Sequence, residues 1–237
     1  MNRRSFMRSA SAVFFPSGIE ERLELAIRAD DAAALTRLIA EGAPVNARGR
    51  RDVTPMMIAV DAQARQAVAI LLRSGALPNA KAADGTGPVH LAVENHATQP
   101  HGRAILEMIL HAGGDPNTRR PDGDPILMRF VYDHDLDDLR WLKSLGADVD
   151  IKARTSRPVI ADIAWGQNWD AVWCLIELGA RVDYEGTTFS LSEALNSPYA
   201  SSPDATLYPY KLKVWQFLRS QGIAVVPFVT LGRPGGS

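Results

Sequence analysis

An all-α fold, with antiparallel helix pairs stacked into an α-solenoid, is what the sequence predicts. The first observation is a short turn that the chain keeps rewriting. It reads Glu41-Gly42-Ala43-Pro44-Val45-Asn46, then Ser74-Gly75-Ala76-Leu77-Pro78-Asn79, then Ala112-Gly113-Gly114-Asp115-Pro116-Asn117. Later copies are Leu145-Gly146-Ala147-Asp148-Val149-Asp150, Leu178-Gly179-Ala180-Arg181-Val182-Asp183 and a worn Gln221-Gly222-Ile223-Ala224-Val225. The second observation is the spacing of the glycines, 33, 38, 33, 33 and 43 residues, a 33-residue period with two insertions. The third is that apolar residues at helical spacing precede each turn, as at Val68, Ile70, Leu71 and Leu72. Repeats of this length bury a core only by stacking, so chain length counts units.

Composition limits the remaining classes. The 237 residues carry a net charge of −1, which gives the whole molecule no pull toward nucleic acid or membrane. Cys174 is the single cysteine, so neither an internal disulfide nor a cysteine-based zinc site is available. No run reaches the roughly 20 apolar residues of a membrane-spanning helix.

Residues 1–16 read as an amino-terminal tail. Its start, Asn2-Arg3-Arg4-Ser5-Phe6-Met7, resembles the paired-arginine opening of a bacterial Tat export signal. The apolar stretch behind it is short and broken by Pro16, with no Ala-x-Ala site following. Two destinations stay open: the periplasm through such a signal, or the cytoplasm with a basic tail.

The repeat domain is expected over 17–226. Ser17-Gly18-Ile19-Glu20 fits a capping box, and Ile19, Leu23, Ala26 and Ile27 line one face of a first helix. Asp30-Asp31 ends it, and Ala34, Leu35, Leu38 and Ile39 face a second helix closed at Gly42. In the next unit Thr54 caps and Pro55 occupies the first helical position, where a missing N–H costs nothing. Met56 to Val60 supply the buried side, Gly75 provides the left-handed closing residue, and Pro78 forbids continuation. Between units, polar Gly/Asp-rich segments are expected to project as β-turn fingers. His96 to Gly102 lengthens one inter-helix turn, and Ser197 to Pro209 lengthens another. A last unit is expected from Ser190-Leu191-Ser192-Glu193 to a helix over Leu212 to Leu218, and 227–237 forms a carboxy-terminal tail.

This order of finger, Thr-Pro helix, second helix and Gly-Ala turn resembles the ankyrin repeat. Asp84-Gly85-Thr86-Gly87-Pro88-Val89-His90-Leu91-Ala92-Val93 carries the likeness best; Asp122-Gly123-Asp124-Pro125-Ile126-Leu127 and Arg157-Pro158-Val159-Ile160-Ala161 are more degenerate. The resemblance spans about Ser17 to Val226 and implies four internal repeats with a capping unit at each end. It also implies a protein-binding module that contacts partners through its fingers and the inner face of each first helix.

Little in the chain points to chemistry. His90 stands at the family's structural histidine position, and His96 and His101 share a loop with no third ligand. Asp133, His134, Asp135, Asp137 and Asp138 cluster, but Asp135 reads as a helix cap with Asp137 and Asp138 at the positive end of the dipole. Cys174 sits among Val172, Leu175 and Ile176 as a small core residue. No catalytic residue, metal ligand or cofactor is expected.

The expected binding residues lie on the fingers and in the groove. Arg48, Arg50 and Arg51, then Lys81, then Arg119 and Arg120, then Lys152, Arg154 and Arg157 make the finger windows basic, against Asp84 and Asp122 alone. Such an edge steers toward an acidic protein surface. Tyr132 and Trp165 fall at groove positions, and Tyr, Trp and Arg dominate interface hot spots. Trp169 is expected either to join Tyr132 and Trp165 in an aromatic patch beside the Arg119-Arg120 finger or to pack between helices, with Trp141, Trp173 and Trp215 in the core. The expected function is non-catalytic protein binding by a monomer. An immunity, inhibitor or accessory protein for a secreted or periplasmic partner is one role; a cytoplasmic scaffold or host-directed effector is the alternative.

Overall fold

The structure, a computed structural model, describes residues 14–16, 18–132, 135–184, 191–196 and 207–225. Ser17, Asp133, His134, Ser190, the Tat-like start and most of the Ser197 to Pro209 insertion lie outside them. The described residues form twelve α-helices and no strand, so the fold is all-α. None of these helices is long and apolar enough to cross a membrane. They fall into two compact units divided between Pro121 and Asp122.

The first unit holds α1 (Gly18–Arg28), α2 (Ala32–Ala40), α3 (Pro55–Asp61), α4 (Arg65–Arg73), α5 (Pro88–Asn95) and α6 (Gly102–His111). Each odd helix pairs with the next even one. α3 packs between α1 and α5 in one row, and α4 between α2 and α6 in another. Sequence chemistry sets the ends. The Asp31 carboxylate accepts the Ala34 amide at 2.9 Å and starts α2. The Thr54 hydroxyl accepts the Met57 amide at 3.4 Å, with Pro55 in the first turn of α3. Leu23, Ile27, Leu35, Met56, Met57, Ile58, Leu71, Ile105, Leu106 and Ile109 fill the core between the rows. Each contributes about 1.5–3 kcal/mol by leaving water.

One cap comes from a neighbouring pair. Asp30, left-handed at φ 49, points its carboxylate at the start of α4, where Ala67 N donates at 2.8 Å and Gln66 N at 3.3 Å. A carboxylate there satisfies orphan amides and meets the positive end of the helix dipole. The turn inside one helix pair therefore holds the next pair in register.

The second unit holds α7 (Leu127–Tyr132), α8 (Leu136–Ser144), α9 (Val159–Trp165), α10 (Trp169–Glu177), α11 (Leu191–Asn196) and α12 (Tyr208–Ser220). α7 pairs with α8, α9 with α10 and α11 with α12; α10 touches α8 and α12, and α9 touches α11. Phe130, Leu139, Leu142, Ile160, Val172, Leu175, Val214 and Leu218 are among its buried apolar residues. α12 begins four residues before the expected Leu212, because Pro209 fits the first helical turn rather than ending a loop.

The tryptophans separate. Trp169 is buried, 2 % exposed, between α10 and α12, as its position on an apolar face required. Trp141, Trp173 and Trp215 are only half-buried. An indole with one side in water can take a cation across its face, and two of the three do so. Arg219 lies over Trp215 at 4.8 Å, and Lys213 lies between Trp173 at 5.6 Å and Tyr210 at 5.3 Å.

Candidate functional site

The fingers are tight loops closed by their own backbones. In the first, Gly49 N donates to Val53 O at 2.9 Å around a short 3-10 turn, Arg50–Asp52. In the second, Ala82 N donates to Thr86 O at 2.8 Å, and the Asp84 carboxylate accepts the Thr86 amide at 2.9 Å. The finger of the second unit repeats this with Ala153 N to Arg157 O at 2.8 Å and an antiparallel bridge between Lys152 and Pro158. Polar, glycine-bearing sequence folds this way because the turn residues supply the bonds that strands would otherwise provide.

Successive fingers are also tied to each other. Ala83 N donates to Arg51 O at 2.9 Å, and the Arg48 guanidinium donates to Lys81 O at 2.6 Å. Below them the turns interlock. Asn46 Nδ2 donates to Gly75 O at 2.9 Å while its Oδ1 accepts from Leu77 N at 2.9 Å. Asn79 does the same to Gly113 O and Asp115 N, both at 2.8 Å. Asp150 holds the corresponding place in the second unit but has no donor to offer. It takes the Arg181 amide at 2.8 Å, the Arg181 guanidinium at 3.5 Å and the Tyr184 hydroxyl at 3.2 Å instead. Burial and the adjacent Asp150 charge push the Tyr184 phenol well above its ordinary pKa.

The basic residues of the fingers differ in exposure and in the acids they meet. Arg120 is half-buried with its Nε 3.5 Å from Glu94, a carboxylate of α5 that also lies 3.7 Å from His90. Arg154 pairs with Asp124 at 3.3 Å, and its own amide donates to the same carboxylate at 3.0 Å. Arg157 pairs with Asp162 at 3.6 Å. These three guanidiniums meet acids of their own unit. Arg48, Arg50, Arg51, Lys81 and Arg119 are exposed, and so are Lys152 and Arg154. Counting charge along the finger windows alone overlooks Glu94 and Asp162, which come from helices; five of these seven exposed basic residues lie in the first unit.

Lys81, Asp84, Asp115, Asn117, Arg119 and Arg120 border a cleft of about 530 Å³ between the second finger and the loop after α6. Lys81 as a whole is exposed, but its ammonium folds back over Gly87, within 3.3 Å of where a Cβ would stand. That local burial lowers its pKa, and Asp115 offsets part of the effect. The cleft thus presents fixed cations with two carboxylates at its edge, a polar recess suited to charged side chains rather than to an apolar ligand.

In the second unit, Tyr132 is 54 % exposed at the end of α7, and Trp165 is half-buried at the end of α9. Asp135, Asp137 and His96 each make a local contact. Asp135 accepts the Asp138 amide at 3.0 Å as the cap of α8, and Asp137 meets Arg140 at 3.1 Å. His96 is buried with Nδ1 2.7 Å from Val93 O at the end of α5. Cys174 is buried, which raises its thiol pKa against the opposing pull of Arg140.

No family model matches the chain, and no curated protein matches it. The functional reading therefore rests on these residues.

What sequence reading missed is the amino-terminal edge of this surface. Phe14 and Phe15 are 4 % and 5 % exposed, packed against the first unit, whereas folded structure was expected only from Ser17. The signal was present in Glu24, a carboxylate on the apolar side of α1 that needs buried donors.

Proposed function

We propose that the chain is an ankyrin-like repeat protein that works as a non-catalytic binding module for a protein with an acidic surface. The observation that carries this reading is the set of exposed cations, Arg48, Arg50, Arg51, Lys81 and Arg119, on the first unit, where one backbone bond and the Arg48 guanidinium tie the first finger to the second. A braced loop has little backbone freedom to lose on binding, which leaves the ordering of the side chains as the main entropic cost. Long-range steering by such an edge raises association rates and weakens with salt. Arg120 and Arg154 act as supports, because each already meets a carboxylate. Tyr132 and Trp165 supply a second contact region on the second unit, with aromatic area that hot spots favour. Blocking a secreted or periplasmic partner, or stabilising it, suits such a module.

The test is capture of partners from the native cell by wild type and by the Arg50→Glu/Lys81→Glu/Arg119→Glu triple variant. The partner bound by wild type is expected to be lost by the variant at unchanged helical content, and to dissociate from wild type as salt rises. Equal capture by both proteins overturns the finger reading.

A further inference from the structure

The residues just ahead of α1 occupy a built site. The amides of Phe14 and Phe15 both donate to Glu24 Oε2, at 2.9 and 3.0 Å. The other oxygen of that carboxylate, itself 3 % exposed, takes two bonds from Arg28, through Nε at 2.9 Å and Nη2 at 2.8 Å. The Arg28 guanidinium also lies over the Phe14 ring at 5.9 Å. Both carboxylate oxygens are used, so the segment and the buried acid satisfy each other.

The same segment reaches the first finger. Phe14 O accepts the Arg50 amide at 3.0 Å. That finger is under strain, because Arg51 and Asp52 both sit at φ 60, a left-handed conformation that residues with a Cβ disfavour. Such conformations persist where the surroundings over-determine them. Here Phe14 O holds Arg50 from one side, and Ala83 N holds Arg51 O from the other.

We propose that the Phe14–Phe15 segment is an intramolecular latch that sets the first finger. Docked, it holds Arg50 and Arg51 in the strained loop; released, it lets the loop relax and withdraws that part of the basic edge. The regulatory consequence rests on the partner-binding reading above, whereas the mechanical coupling does not. It also makes Phe14 and Phe15 part of the folded unit, so processing that removes the Arg3-Arg4 segment together with them loosens the finger.

Gly49 allows a selective test. Its φ of −83 suits any residue, yet a Cβ there would stand 2.8 Å from Phe14 O and 3.0 Å from the Phe15 ring. Gly49→Ala therefore wedges the segment off without straining its own backbone. In the full chain, amide exchange over 49–53 is expected to quicken by about tenfold or more, while α3 and α4 keep their protection. Chymotrypsin should then cut after Phe14, the bond after Phe15 being blocked by Pro16. Glu24→Gln, which keeps the shape but weakens the two amide bonds, should give the same pattern more mildly and covers the case in which the alanine variant fails to fold. Unchanged cleavage and exchange in a folded variant overturn the latch. Cleavage after Phe14 with unchanged exchange at 49–53 also overturns it, because the segment then comes away without loosening the finger. Neither readout uses a partner, so failure of the latch is distinct from failure of the binding reading.

Discussion

Asn79 grips the turn of the following helix pair: its Nδ2 donates to Gly113 O and its Oδ1 accepts from Asp115 N, both at 2.8 Å. One planar amide satisfies a carbonyl and an N–H left over at a helix end, and it does so across 34 and 36 residues of chain. Asn46 makes the same pair of bonds one turn earlier, to Gly75 O and Leu77 N.

Asn79→Ala removes both bonds, which are solvent-exposed and so near the low end of the usual range. A loss of about 1–2 kcal/mol is expected in urea unfolding. Asn79→Asp keeps the acceptor and loses the donor, so it should fall between, with a further penalty from the neighbouring Asp115 charge. A loss for Asp as small as zero would mean that the Gly113 bond contributes nothing.

Gly75 stands at φ +84 with nothing within 4 Å of where its Cβ would lie. Gly75→Ala therefore has only a conformational cost, about 1 kcal/mol. Gly75→Asn should cost less, since asparagine tolerates the left-handed region. Equal losses for the two, measured by thermal or urea unfolding, would contradict a purely backbone origin.

Lys211 is 6 % exposed, and burial lowers its pKa, with Trp169 beneath the ammonium at 5.4 Å. The unfolded chain then binds more protons than the folded one between the lowered pKa and the ordinary lysine value. Stability should rise with pH through that window. Lys211→Met is expected to flatten the rise and to be more stable than wild type at neutral pH, the cation–π contact offsetting only part of the desolvation. Parallel curves for the two proteins from neutral pH up to the ordinary lysine value, about 10.4, would remove lysine from the explanation.

Cys174 is 1 % exposed and its thiol is pushed toward the protonated form. An aromatic disulfide reagent at pH 8 should label it at the rate of global or local opening, and in urea immediately. Rapid labelling of the native protein would place the thiol at the surface.

Much of this molecule was legible in order of residues. The glycine turns, the Thr54–Pro55 start, the helix break at Asp30-Asp31, the Asp135 cap and the apolar stripes act within one helical turn, so neighbours in sequence specify them. The exposed part of the basic edge was legible too, since Arg50, Arg51, Lys81 and Arg119 sit in segments with no core to fill. Other features needed distant partners. Glu94 and Asp124 take charge away from Arg120 and Arg154, and no local pattern pairs residues 26 or 30 positions apart.

The sequence by itself determined the helix pairs and their punctuation, because capping, proline and left-handed glycine are local backbone chemistry. Only tertiary structure decided which cations remain toward solvent, which tryptophans keep a wet face, and that Phe14 and Phe15 close the first unit. Each of those depends on what a neighbouring helix or loop brings within hydrogen-bonding or van der Waals distance, and burial is a property of the packed unit rather than of any residue type.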